Sequence, residues 1–394
     1  MMNARRLYSV GAAAIATMAF GCGQEAMDNT AKAEGRMAPM FEVDPFWPKP
    51  LPNHWILGST IGLAVDSRDH VYIVHRRDTF NERTEIGAAT DPVAADCCIP
   101  APNILEFDAQ GNLVNHWGGP GEGYTWPSSN HGITVDHKDN VWVGGNGPRD
   151  SHILKFTRDG KFLAQFGTPD SDTDSHSKEN FGSVAEVSFD PAANEAYVAD
   201  GYRNKRVAVL DADTGKLKRY WGAYGNAPDD ADLGPFVPGG EPAKQFRNPV
   251  HCAQPSNDGL VYVCDRVNNR LQVFKTDGSF VKEIFIKPNS LGDGSVWDIA
   301  FSPDAEQKFI YLADGTNRKI FIIERQSLET LTTFGDGGRN PGQFFAVHNI
   351  AVDSKGNIYT TETYEGKRLQ KFTYKGMGPV TETDQGTPWP ADKK

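Results

Sequence analysis

Asn268-Asn269-Arg270-Leu271-Gln272-Val273-Phe274-Lys275-Thr276-Asp277-Gly278 and, further along, Glu365-Gly366-Lys367-Arg368-Leu369-Gln370-Lys371-Phe372 are two copies of one pattern. A polar loop carrying Arg runs into alternating apolar and polar residues, and the first copy then reaches an Asp-Gly turn. Alternation of period two closed by a tight turn reads as a strand entering a hairpin. Working outward from this stretch, the full unit is an apolar run, a turn of the Asp/Asn-Gly type, a second apolar run, the polar loop and a hairpin. Six copies follow one another. They begin near Gly62-Leu63-Ala64-Val65-Asp66, His131-Gly132-Ile133-Thr134-Val135-Asp136, Val184-Ala185-Glu186-Val187, Val250-His251-Cys252-Ala253, Val296-Trp297-Asp298-Ile299-Ala300 and Val347-His348-Asn349-Ile350-Ala351-Val352-Asp353. Several copies close on an aromatic residue and glycine, as at Trp117-Gly118, Phe166-Gly167, Trp221-Gly222 and Phe334-Gly335.

Each unit therefore makes four short antiparallel strands. One such sheet cannot bury both faces alone, so the units must stack around an axis, and closing the ring leaves no lateral edge exposed. An all-β, six-bladed β-propeller over residues 41–380 is the expected fold, with a polar tail at 381–394. The last unit runs out after Tyr374-Lys375-Gly376, so the segment around Phe41 to Leu57 is expected to supply its outer strand. The Asn268 and Glu365 stretches resemble the NHL repeat, a building block of such propellers. A chain with 40 glycines and 25 prolines in 394 residues suits many short strands better than long helices.

The formal net charge of −11 carries no clustered basic face, which argues against a nucleic-acid partner. Arg5 and Arg6 precede the apolar run Leu7 to Phe20, too short to span a bilayer in a mature protein, so residues 1–21 read as a signal peptide. Met18-Ala19-Phe20-Gly21-Cys22 resembles a bacterial lipoprotein processing site, with Ala19 where Leu is usual. That resemblance implies lipidation at Cys22, a tether over 22–40, a membrane contact through the lipid alone and a place in the bacterial cell envelope. Four further cysteines remain in a compartment that permits disulfides. Cys252 and Cys264 flank Ser256-Asn257-Asp258-Gly259 at equal distances, opposite each other on a hairpin. Cys97 and Cys98 are neighbours that either bond to each other or stay reduced.

Histidine stands at the start of the innermost strand in repeats two, four and six, as His131, His251 and His348. This alternation spaces three imidazoles about a third of a turn apart, all facing the central channel. Three histidines with an open fourth position describe a catalytic zinc site, and imidazole suits copper, iron and nickel as well. The chain leaving the second strand of a blade returns to that same mouth. Arg76, Tyr202 and Arg266 occupy this position in repeats one, three and four, and a pair of guanidiniums suits a carboxylate. A blade-stapling ion pair for Arg266 and simple packing for Tyr202 are the rival readings.

This set resembles peptidyl-α-hydroxyglycine α-amidating lyase, with the similarity running over about residues 55 to 375. The resemblance implies zinc on His131, His251 and His348, a catalytic Tyr202, and Arg76 and Arg266 at the active site. It also implies a structural calcium on the backbone carbonyls of Leu63 and Ile133 and on the residue after the third histidine. That residue is Asn349 here in place of the family's aspartate, which puts the calcium in doubt. Ala346 replaces a larger hydrophobic residue, implying a remodelled pocket. The implied reaction cleaves the N–C bond of a carboxylate-bearing α-hydroxy amide, small or peptide, and releases glyoxylate. A zinc-dependent lactone or ester hydrolase on the same site is one alternative, and a non-catalytic propeller serving as a binding platform is another.

Overall fold

The computed structural model describes residues 35–92 and 94–390. The expected signal peptide and Cys22 lie outside the described residues, as does most of the tether.

Six four-stranded antiparallel sheets form a propeller. From axis to rim, blade one comprises Thr60–Val65, Val71–His75, Ile104–Phe107 and Leu113–Trp117, and blade two Asn130–Val135, Asn140–Gly145, Ile153–Thr157 and Phe162–Phe166. Blade three comprises Val184–Asp190, Glu195–Asp200, Arg206–Asp211 and Leu217–Trp221, and blade four Val250–Pro255, Leu260–Asp265, Arg270–Lys275 and Phe280–Phe285. Blade five comprises Asp298–Phe301, Phe309–Asp314, Lys319–Glu324 and Glu329–Phe334. In blade six, Val347–Val352, Ile358–Glu362 and Leu369–Pro379 are completed by Met37–Asp44 from the other end of the chain.

The core is the set of seams between blades. The second strand of blade two shows why: Val141 and Val143 pack toward blade one, while Trp142 between them packs toward blade three. Successive side chains point to opposite faces, so a strand buried on both faces reads as a near-continuous apolar run. The outermost strands keep one wet face, as in Leu113–Trp117, where exposure alternates.

Ring closure differs from expectation in its bounds. The strand begins at Met37, not near Phe41, and pairs antiparallel with the last strand, Phe41 opposite Tyr374 and Val43 opposite Phe372. Met37 to Met40 thus belong to the sheet, because the last strand runs to Pro379 and offers ladder partners that far. The tail expected at 381–394 is also docked where it is described. Thr333 N–H donates to Thr383 O at 3.0 Å, Gly335 N–H to Gly386 O at 2.7 Å and Val43 N–H to Pro388 O at 2.8 Å. It covers the open backbone edge of blade five's outer strand.

Cys252 and Cys264 stand directly opposite in the ladder and are disulfide-bonded, with Cα atoms 4.8 Å apart. Cys97 and Cys98 are bonded to each other as well. Among the described residues no helix is long and apolar enough to cross a membrane.

Candidate active site

His131, His251 and His348 meet on the axis with ring centroids 4.8 to 5.3 Å apart, each at most 2% exposed. Their potential ligand atoms lie within 4.8 Å of one another. The innermost strands of blades two, four and six carry them there.

Hydrogen bonding fixes which nitrogen faces the channel. His131 Nδ1 lies 2.8 Å from Ala185 O on blade three, and His251 Nδ1 contacts Trp297 O on blade five. A carbonyl only accepts, so both Nδ1 atoms carry the hydrogen and both Nε2 atoms are lone pairs. His348 turns instead to its own neighbour. Asn349 Nδ2 donates to Asp298 Oδ2 at 3.0 Å, which leaves Asn349 Oδ1 to accept from His348 Nδ1 at 2.6 Å. Three Nε2 lone pairs therefore converge. The Tyr202 hydroxyl, 2.9 Å from His131 Nε2 and 3.2 Å from His251 Nε2, has one hydrogen and can donate to only one of them. A deficit of positive charge at a point ringed by imidazole nitrogens, each oriented through its other nitrogen, is the donor set of a zinc-class metal. Burial, reinforced by neighbouring imidazoles and by the Arg266 guanidinium, and for His131 by Arg76 as well, holds His131 and His251 well below the ordinary histidine range. Burial and the same two guanidiniums hold His348 down at about 3. The rings are therefore neutral, the form that ligates.

The three rim residues reach the same mouth. Arg76 donates through Nη2 to Asn146 Oδ1 at 2.7 Å and through Nε to Asn130 O at 3.2 Å. Arg266 lies across the Trp297 ring at 4.5 Å, with Nη1 3.5 Å from the Tyr202 hydroxyl. Its Nε is buried and has no hydrogen-bond partner. Blade stapling falls to other arginines: Arg206 pairs with Asp200, Arg270 with Asp265 and Arg368 with Glu362, each at 2.7 Å. Arg266, one residue beyond Asp265, faces the site and also pairs at 3.4 Å with Asp293 of the loop between blades four and five. Tyr202 packs against the seam of blades three and four while its hydroxyl faces the histidines.

At the implied calcium position Asn349 offers less than an aspartate would: its Nδ2 donates to Asp298 and its Oδ1 already accepts from His348 Nδ1, leaving one lone pair and no charge for a cation beside the Leu63 and Ile133 carbonyls. Behind the histidines the channel opens into a cavity of about 440 Å³ lined by residues of all six blades, among them Leu63, Thr134, Glu186, Gln254, Ile299 and Ile350. Glu186 lies beside buried Asp298, and burial together with the neighbouring carboxyl pushes Glu186 up while burial pushes Asp298 up.

Sequence reading missed Tyr364 and Asp293. Tyr364 lies in Glu362-Thr363-Tyr364, the same register as Asp200-Gly201-Tyr202, and aligning the repeats reveals it. Asp293 sits in the loop between blades four and five, outside every repeat, where no pattern marks it.

No protein-family model matches the chain. It is 26% identical over 318 residues to peptidyl-glycine alpha-amidating monooxygenase B of Xenopus laevis, covering 78% of this chain and 33% of that protein. It is 25% identical over 354 residues to peptidyl-alpha-hydroxyglycine alpha-amidating lyase 1 of Drosophila melanogaster, covering 84% and 59%. NHL repeat-containing protein 3 of Mus musculus is 26% identical over 358 residues, covering 85% and 84%. The chain thus spans about a third of the monooxygenase it matches. Among solved structures, a Bacteroides thetaiotaomicron protein of unknown function shares the fold, with TM-score 0.52 and 12% identity over 86% of this chain and 77% of that one. The chain is an NHL-type six-bladed β-propeller that resembles the peptidyl-α-hydroxyglycine α-amidating lyases in sequence.

Proposed function

We propose that this protein is a zinc-dependent carbon–nitrogen lyase that cleaves an α-hydroxy amide bearing a carboxylate, giving an amide and glyoxylate without consuming water. The observation that carries this reading is the convergence of the three histidines on the axis, with the Tyr202 hydroxyl against His131 Nε2 and His251 Nε2 and Arg266 beside it. Likeness to proteins named amidating lyases supports it.

His131, His251 and His348 would hold the zinc, which would supply Lewis-acid polarisation of a substrate oxygen. Tyr202, as phenolate, takes the proton of the substrate hydroxyl. The hydroxyl-bearing carbon then forms its C=O bond as the C–N bond breaks, and Tyr202 passes the proton it took to the departing nitrogen, giving the amide and restoring the phenolate. Arg76 and Arg266 hold the carboxylate, Arg266 through the edge that carries its unpartnered Nε.

The test is glyoxylate release from an α-hydroxyglycine amide by metal-replete protein, with Tyr202→Phe for comparison. Turnover should fall by about 10² to 10⁴ while metal content stays constant, the usual range for a positioned acid–base group. Hydrolysis of an ester or lactone without glyoxylate release would favour the hydrolase. If neither activity appears, the binding platform is the reading that remains. We also place the mature protein in the bacterial cell envelope, anchored through Cys22. Cys22→Ser should move it out of the membrane fraction, and unchanged fractionation would refute the anchor.

A further inference from the structure

We propose that Asp293 and Tyr364 form a displaceable bar across the channel mouth, in which Asp293 occupies the carboxylate place on Arg266 until a substrate carboxylate takes it. This rests on the carboxylate-binding role of Arg266 proposed above and names what sets its selectivity.

The bar spans two sides of the mouth. Tyr364 donates from its hydroxyl to Asp293 Oδ2 at 2.7 Å, while Asp293 Oδ1 lies 3.4 Å from Arg266 Nη2. Tyr364 leaves blade six in the left-handed region, with φ of 52°, and its N–H donates to Ser59 Oγ at 2.9 Å. Behind Asp293 the backbone is fixed. Gly294, at φ of 76°, lies so close to Arg266 that a Cβ there would stand 2.1 Å from Arg266 O, and its own carbonyl accepts from Trp297 Nε1 at 2.8 Å and Thr316 Oγ1 at 2.6 Å. The loop thus delivers a carboxylate to Arg266 and to no other guanidinium.

That carboxylate is loosely held. It meets Arg266 through one oxygen at a long distance, leaves the buried Nε unpartnered, and sits on a side chain that is 43% exposed. A partly exposed, single-contact ion pair is weak, whereas a carboxylate lying in the guanidinium plane can engage two N–H groups at once. A bidentate ligand therefore displaces Asp293, and the freed Tyr364 hydroxyl becomes a donor to the incoming oxygens. A neutral ligand has no means of lifting the bar. The mouth selects for carboxylates by requiring exchange of one anion for another.

Calorimetric titration of zinc-loaded protein with glyoxylate, and with acetamide as a neutral counterpart, tests this without relying on turnover. Asp293→Asn should tighten glyoxylate roughly fivefold, the scale of a weak exposed pair. Tyr364→Phe, which unpins Asp293, should tighten it less. Glu365→Gln removes an equal charge from the adjacent exposed position and should change nothing comparable. In an Arg266→Ala background the gain from Asp293→Asn should vanish. Equal affinity in wild type and Asp293→Asn, an equal gain from Glu365→Gln, or a gain surviving Arg266→Ala overturns the bar. Failure of the lyase reading shows separately, as absent glyoxylate release from the α-hydroxyglycine amide.

Discussion

Each channel histidine gives one nitrogen to the scaffold and keeps the other for the axis. Changing His131, His251 or His348 to Ala should lower zinc from one ion per chain to none, read by elemental analysis, and full occupancy in the triple variant would refute the site. Asn349→Ala removes only the group that orients His348, so zinc affinity should fall by about 10- to 100-fold while the other two ligands persist. Arg266→Lys keeps the charge but loses the planar fork. It should raise KM for a substrate carrying the carboxylate and leave an amide-capped analogue unaffected, and an equal effect on both would contradict the assignment. At this scale the histidines were legible because they recur at one repeat position in alternate blades. Asp298 and Asn349 were not legible as a relay, since the contact joins two blades, and the same holds for the carbonyls of Ala185 and Trp297. No single repeat encodes a bond to its neighbour.

Blades three, four and six each close the loop after their second strand with a buried acid and an arginine: Asp200 with Arg206, Asp265 with Arg270, Glu362 with Arg368. Arg270→Met should destabilise the fold by about 3 to 5 kcal/mol, because it strands a fully buried carboxylate. Blade five breaks the pattern. Lys319 turns outward to Asp336 and Asp384, and Asp314 keeps only donors from Asn317 and Thr316. Burial pushes the Asp314 carboxyl up to about 7. Its folded pKa lies above the unfolded value of about 3.9, so the folded state binds its proton more tightly. That contribution is complete below about pH 4 and is lost as pH rises through 7. Asp314→Asn lacks this loss, so its melting temperature should gain on wild type steadily from pH 4 to about 7 and then level off. A constant difference across that range would refute the assignment. The Asn-Arg loops of the repeat were legible as a pattern, but which arginine staples and which faces the site was not. Arg266 and Arg270 lie four residues apart, and only the ladder register shows that Arg270 meets Asp265.

The whole ring depends on a strand from one end completing a sheet begun at the other. Six repeats and the need for an outside strand in the last were legible from periodicity and from where the pattern ran out. The true bounds, Met37–Asp44, were not, because Met37-Ala38-Pro39-Met40 carries no strong alternation and its pairing is set by how far the last strand runs. Removal of residues 1–36 should leave the thermal transition of the domain nearly unchanged, whereas removal of 1–45 strips the outer strand and bares an edge. The longer truncation should melt earlier and self-associate, as seen by light scattering. Equal melting of the two would show that the strand is dispensable. Closure of this kind also has a consequence in time. The partners of Met37–Asp44 leave the ribosome after every other strand of the ring, so five and a half blades must wait, incomplete, for the final hairpin. A chain exported as it is made would cross unsealed and lock only on arrival, and a stalled translation product would never acquire the finished channel on which its histidines meet.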